Sequence, residues 1–445
     1  MQPAEPQEGP VRVETGQGSP VDAEVNALMR ATARRAAWFF IGSIVFALTV
    51  GATLGAFLWL SLTLQTNLLG NLSVFHARSA HGYGQVFGFT ALFVCGVAYH
   101  VLPRLSGRPW RASSLQRIAL IGLVVGAGLG SVGTLIAAGG WVILLAHFAL
   151  VVGAAAFAWS VRLQLRGSSV QPGLLSVYVQ IGCWWLVAAA GLPVLVPALR
   201  DQAPPLVWEA ALWGFAANWI YGMSLRILPA SLGLVRLEGR GGPVVCTAHQ
   251  LAVLLWCVGM AAGSGWLPSE VAWLSRPGAL LLVIAALGFA YGVGFFRARA
   301  TSAHPMPGTE KFLWTAYLWL AIALAFGPLT VAVTGAAFVG PVADFARHAF
   351  TLGFLTQMIF GVSMRVLPAA AGIPIWSERL RDYTYGLLNA GAFLRAGETV
   401  TAWGGSTAWY QWSALSGPVA WAAFLLFAVN LTMSVRQGSV KADRG

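Results

Sequence analysis

The sequence predicts an all-α, polytopic membrane protein of twelve transmembrane helices arranged as three pseudo-repeats of four. Three observations predict it. Of 445 residues, 57% are hydrophobic and 9% charged, where an ordinary soluble domain carries about 25% charged residues, and the mean hydropathy is +0.70. Apolar runs of the roughly 20 residues that a bilayer core demands begin near residues 36, 80, 115, 141, 174, 205, 245, 276, 311, 341, 382 and 415. Finally, one run recurs: GFTALFVCGVAYHVLP ends at Pro103, GFAANWIYGMSLRILP at Pro229 and GFLTQMIFGVSMRVLP at Pro368. All three share Gly-Phe, a second glycine eight residues on, a histidine or arginine, and Leu-Pro. The prolines stand 126 and 139 residues apart, too far for a solenoid period and right for a unit of several membrane helices.

Helix one, about 36–60, leads through a loop holding His76 and Arg78 into helix two, the run from His81 to Pro103. LPRLSGRPWR then reads as a basic turn. Helices three and four meet at Gly139-Gly140, with His147 in helix four; helix five carries Cys183-Trp184-Trp185, and helix six opens near Trp208-Glu209. Helix seven opens with Cys246-Thr247-Ala248-His249, and helix eight ends at Arg297 before a polar loop containing His304. Helix nine leads into the third copy, which is helix ten, and helix eleven holds Arg395 and Glu398 in apolar sequence. The expected organisation is a disordered tail over 1–33, rich in Pro, Gly and Glu, one membrane domain over 34–436, and a short tail over 437–445.

In a soluble protein, the formal net charge of +12 would point to nucleic acid. Here the cations sort by side. Arg30, Arg34 and Arg35, Arg104, Arg108 and Arg111, Arg162 and Arg166, Arg236 and Arg240, Arg297, Arg299 and Lys311, Arg379 and Arg381, and Arg436, Lys441 and Arg444 all fall on one side of the predicted bundle. Arg78, Arg200, Arg276 and Arg347 fall near the other. That is the positive-inside pattern, so the charge reports a bilayer partner with both termini cytoplasmic and no nucleic-acid partner. Cys95, Cys183, Cys246 and Cys257 stand singly in or beside apolar runs without CxxC spacing and read as reduced, buried thiols.

His81 and His348 each open a helix running in the same direction, which places them at matched depth. Ionisable groups inside a membrane are costly and mark functional candidates, and two such imidazoles are what a bis-histidine haem needs. The other reading is a pair of interfacial histidines bonded near the headgroups. Gly84 and Gly88 share the face of His81 at i+3 and i+7, leaving a flat surface for a planar ring. Arg347 either meets a haem propionate or snorkels to water. Arg395 and Glu398, spaced i and i+3, can pair on one face, as a structural pair or as an anchor for a cofactor carboxylate. Glu209 fills in the second copy the slot that His348 fills in the third, as a proton-labile acid or as an acid favoured at a helix start. His100, Arg226 and Arg365 share a slot suited to capping terminal carbonyls. His147, His249 and His304 read as satisfied polar groups.

Twelve helices in three four-helix units, with histidines at the starts of helices two and ten, resemble subunit I of the haem-copper oxidases. HGYGQVFGFTALFVCGVAYHVLPRL resembles helix two of that subunit, while GVSMRVLPAAAG and FLRAGE are similar to NnrS-type membrane proteins linked to nitric oxide response. The resemblance spans about 36–435. It implies that His81 and His348 are the axial ligands of one low-spin b-type haem. The departures are specific: where oxidases place the high-spin haem ligand of a His-x-His pair, this chain has Ala346. Helix six has Glu209 and no histidine, and helix seven has His249 in place of a His-His pair, so the ligands of a copper site are missing. Leu367-Pro368 stands where NnrS-type proteins tend to carry Gly-His.

The expectation is a haem protein of the bacterial inner membrane in electron transfer or nitric oxide response, served by cytochrome c or a quinol, without a complete binuclear haem-copper site. Two rivals remain: a secondary transporter, whose repeats usually come as two halves, and an oxidase-like catalytic subunit that needs a partner.

Overall fold

The computed structural model describes residues 20–110, 112–166, 173–199, 205–235, 237, 239–296, 308–370 and 373–442, and every regular element among them is helical. The first nineteen residues of the expected tail lie outside the described residues, as do His304 and the cations Arg111, Arg200, Arg236, Arg297, Arg299 and Arg444. In chain order the long helices are α1 (Arg34–Thr63), α2 (Val74–Ser106), α3 (Ser113–Leu135), α4 (Gly140–Arg166), α5 (Leu174–Leu195), α6 (205–232), α7 (Gly241–Gly263), α8 (Ser269–Gly292), α9 (Glu310–Thr334), α10 (Gly340–Pro368), α11 (378–402) and α12 (Thr407–Gln437). Ten of these are long and apolar enough to cross a membrane; α6 and α11 are not in that set. Indole nitrogens and Asn218 dilute the hydropathy of α6, and the continuous helix of α11 covers 17 residues, Glu378–Leu394, before its break at Arg395-Ala396. Both nonetheless begin where the sequence pattern put the sixth and eleventh helices.

Several boundaries differ from expectation. The second helix starts at Val74, so His76 and Arg78 lie in its opening turns and not in a loop, and His81 stands two turns in. The first helix starts at Pro20, so residues 20–33 extend α1 instead of forming a tail; proline suits a first turn, and the Ala, Leu, Glu and Arg that follow are strong helix formers. The last helix likewise runs on to Ala442. Within the repeat, α2 and α6 continue one turn past Pro103 and Pro229 and end at Gly107 (φ 66°) and Gly233 (φ 64°). The left-handed glycine supplies the stop, so the proline marks the last turn and not the end.

The three copies of the recurring run are the inner helices. In α2 and α10, 83% and 72% of the apolar window is buried, against 33% in α1 and 28% in α8, and α6 is buried without interruption from Glu209 to Gly222. Each inner helix turns π-helical at the same place, over Gly84–Ala91, Ala210–Ala216 and Ala349–Thr356. In all three the π stretch opens nineteen residues before the repeat proline. Such wide turns are rare and gather at functional sites.

The recurring spacing of the two glycines has a packing cause. A Cβ at Gly88, Gly214 or Gly353 would stand within 2.5–2.6 Å of Phe46, Trp185 or Trp319, and one at Gly96, Gly222 or Gly361 within 2.5–3.0 Å of Phe40, Tyr178 or Phe312. Thus α1, α5 and α9 each press two aromatic side chains into two glycine notches on the inner helix that follows. The remaining helices of each unit form a hairpin, α3 with α4, α7 with α8 and α11 with α12, and each hairpin abuts the next unit's first helix: α4 on α5, α8 on α9 and α12 on α1. Trp59 seals the last joint by donating its indole N–H to the Ser413 carbonyl at 2.8 Å. Outward faces carry Ile121, Ile136, Trp141, Phe148 and Leu195, apolar surface suited to lipid.

Candidate functional site

His81 and His348 come together at one end of the bundle, on α2 and α10, within electrostatic reach of one another and of a shared pair, Asp344 and Arg395. The His81 ring lies against α1. A Cβ at Gly55 would stand 2.6 Å from its Cε1 atom, so only glycine admits the imidazole there. Its Nδ1 faces the Gly51 carbonyl at 2.8 Å. On α10, His348 Nδ1 faces the Asp344 carbonyl at 2.8 Å and stands 3.4 Å from that residue's carboxylate. A carbonyl oxygen can only accept, so in each neutral ring Nδ1 carries the proton and Nε2 keeps its lone pair. This is the tautomer of a metal-bound histidine, fixed by its outer hydrogen bond.

A buried ion cluster adjoins the two rings. Asp344 holds Arg395 through a very short contact and lies 3.8 Å from Arg78. Arg395 reaches Glu398 with Nε at 3.0 Å from a carboxylate oxygen, and its guanidinium stacks on the Trp59 ring at 3.4 Å from the centroid. The side chains of Arg395 and Glu398 are 9% and 4% exposed, so the i, i+3 pair the spacing suggested does form, in a setting where desolvation makes partners necessary. The chain breaks its helix at Arg395-Ala396, which turns the two side chains onto this cluster.

The other candidates land elsewhere. Arg347 binds Glu209 at 2.8 Å, with side chains 14% and 1% exposed, donates to the Phe338 carbonyl at 3.2 Å and lies over the Phe338 ring. It therefore ties α10 to α6 and points away from the histidine pair. Gly84 and Gly88 face α1: a Cβ at Gly84 would meet the backbone of Gly51 at 3.1 Å, and one at Gly88 the Phe46 ring. The flat surface is used for helix packing. His147 is fully buried; its Nδ1 donates to the Ala190 carbonyl at 2.9 Å, so its Nε2 accepts the Tyr83 hydroxyl at 2.6 Å. His249 Nε2 donates to the Trp213 carbonyl at 3.0 Å. Both are satisfied polar groups. All four cysteines are buried and free. Among the described residues, no three or more His, Cys, Asp or Glu side chains gather in a way that could hold a metal ion.

Sequence reasoning missed Asp344, Trp59 and Gly55. For Asp344 a signal existed, an acid at i−4 from His348 on the same helix face; for Trp59 and Gly55 the contact runs between helices and leaves no local trace.

The slot twenty residues before each repeat proline shows one position used in three ways. Tyr83, Glu209 and His348 occupy it, each immediately before its π stretch. Tyr83 turns to His147, Glu209 to Arg347 and His348 to Asp344.

These features define an all-α, multi-pass membrane protein whose inner helices bring two histidines of preset tautomer to a buried ion cluster. The chain belongs to the NnrS protein family, whose model matches residues 37–436. No protein with a curated description matches it.

Proposed function

We propose that this NnrS-family chain is a b-type haem protein of the bacterial inner membrane, holding one haem between His81 and His348 and acting in electron transfer or the response to nitric oxide. The observation that carries the reading is the matched tautomer: both imidazoles spend Nδ1 on a backbone carbonyl and leave Nε2 to bind iron. The donor set fits a haem further, because Arg395 and Arg78 beside Asp344 offer cations to two propionates, and guanidinium suits a carboxylate bidentately. A haem held there by His81 and His348 would supply one-electron exchange at its iron.

The protein's own part is orientation. Gly55 admits the His81 ring, Asp344 fixes His348, and Trp59 holds the Arg395 head in place. The sequence resemblance to oxidase subunit I favours the same two residues as the haem ligands, and the sorted cations favour cytoplasmic termini, with cytochrome c or a quinol as electron donor. A pyridine-haem spectrum tests the reading. The purified wild type should show a reducible Soret band and one haem per chain, and His81→Ala and His348→Ala should each lose most of it. Full haem in both variants overturns the site, and a colourless wild type favours a transporter.

A further inference from the structure

The second and third units differ in how they treat a buried amide. In the second unit, Trp185 donates its indole N–H to Gln250 Oε1 at 3.0 Å, and Gln250 Nε2 donates to Asn218 Oδ1 at 2.7 Å. Asn218 closes the chain by donating to the Gly214 carbonyl one turn back. Indole and amides thus form a satisfied relay across α5, α7 and α6. The third unit repeats the positions. Trp319 donates to Asn389 Oδ1 at 2.8 Å, and Asn389 stands as far beyond Pro368 as Gln250 stands beyond Pro229. Gln357 fills the Asn218 slot, eleven residues before the proline. In the first unit the same two slots hold Leu92 and Val124, and the relay is replaced by apolar packing.

The relay is open in the third unit. Asn389 turns its amide nitrogen back to the Tyr385 carbonyl at 2.8 Å. Gln357 is 0% exposed, and neither its Nε2 nor its Oε1 has a hydrogen-bond partner. Among the described residues it is the one buried carboxamide with both its nitrogen and its oxygen unmet. It shares a helix face with Gly353, four residues earlier, which packs on Trp319, so the amide sits on the side where the second unit's relay runs. A fully buried carboxamide with neither atom bonded is strongly disfavoured, and small polar guests, above all water, are what proteins use to meet such groups.

We propose that Gln357 marks a binding site for ordered water inside the third unit, bridging its carboxamide to neighbouring polar groups on the Trp319–Asn389 side. The ligand class is a small neutral molecule able both to donate and to accept a hydrogen bond. The site lies nine residues beyond His348 on the same helix, just past the π stretch, and so hydrates the interior of α10 below the histidine pair. The proposal is independent of whether haem binds.

A density map of the full chain in detergent or nanodisc, at a resolution that shows ordered water, tests it. The wild type should show water density within hydrogen-bonding distance of both Gln357 amide atoms, and Gln357→Leu should lose it. The paired change Gln357→Asn with Asn389→Gln copies the second unit and should show a direct amide–amide bond with no water, which keeps the test open if the leucine variant does not fold. A wild-type map in which both Gln357 amide atoms bond protein groups, or in which no water density reaches them, overturns the proposal.

Discussion

Asp344 holds His348 by two different atoms, the backbone carbonyl at 2.8 Å from Nδ1 and the carboxylate at 3.4 Å from the same nitrogen. The same carboxylate holds Arg395. One side chain therefore sets the orientation of a candidate iron ligand and of a candidate propionate partner. Outer partners of metal-bound histidines typically change affinity by 10–100-fold when removed. Asp344→Ala should weaken haem binding by about that range while leaving the backbone hydrogen bond intact. Haem titration of the apoprotein, read at the Soret band, measures it.

His81 lies against Gly55, where a Cβ would stand 2.6 Å from the ring, so removing the imidazole leaves a slot of its own shape. His81→Gly should lose the low-spin spectrum, and added imidazole should restore it, because a free ring can occupy the slot and accept the role of Nε2. His348→Gly should respond to imidazole in the same direction, since that ring too spends Nδ1 on a backbone carbonyl. Absorbance with graded imidazole reads both.

The ion pair of Glu209 and Arg347, at 2.8 Å with Glu209 1% exposed, joins the second and third units. Breaking a buried pair from one side leaves an unpaired charge and costs about 3–5 kcal/mol. Glu209→Leu and Arg347→Leu should each destabilise by that order, and the double variant should recover a large part of it, giving a coupling energy of the sign expected for contacting residues. Chemical denaturation of the four proteins in one detergent measures the cycle. Haem content of the double variant should stay near wild type, because the pair points away from the histidines.

Gly353 and Gly386 predict opposite outcomes for the same kind of change. A side chain at Gly353 runs into Trp319, and overpacking of this kind costs about 1–3 kcal/mol, so Gly353→Leu should destabilise the chain. Gly386 lies exposed on α11 with nothing within 4 Å of its would-be Cβ. Replacing it with alanine should be neutral or stabilising by up to about 1 kcal/mol through helix propensity alone. Paired denaturation curves distinguish the two.

Much of this architecture is written locally. The Gly-Phe to Leu-Pro echo located the three inner helices, because two glycine notches at fixed spacing are what two aromatic knobs from the preceding helix require. The i, i+3 spacing of Arg395 and Glu398 foretold their pairing. What stayed hidden is which neighbour each face meets. Gly84 and Gly88 present the same smooth strip to a porphyrin or to another helix, and α1 takes it. Arg347 finds its acid 138 residues away, a distance over which no periodicity speaks. Residues 20–33 are helical for a reason the tail's composition hid: the Pro, Gly and Glu of the stretch before them outweighed the helix formers that follow.

The joint between Trp59 and Ser413 has a consequence for biogenesis. The wall beside His81 is finished by α12, the last of the long helices to leave the ribosome. Until that span inserts, Trp59 and the Arg395 head stacked on it stand open to lipid on one flank. Any group bound at the histidine pair is therefore enclosed after synthesis, and a chain shortened by its final span should be leaky at this pocket even with every imidazole present.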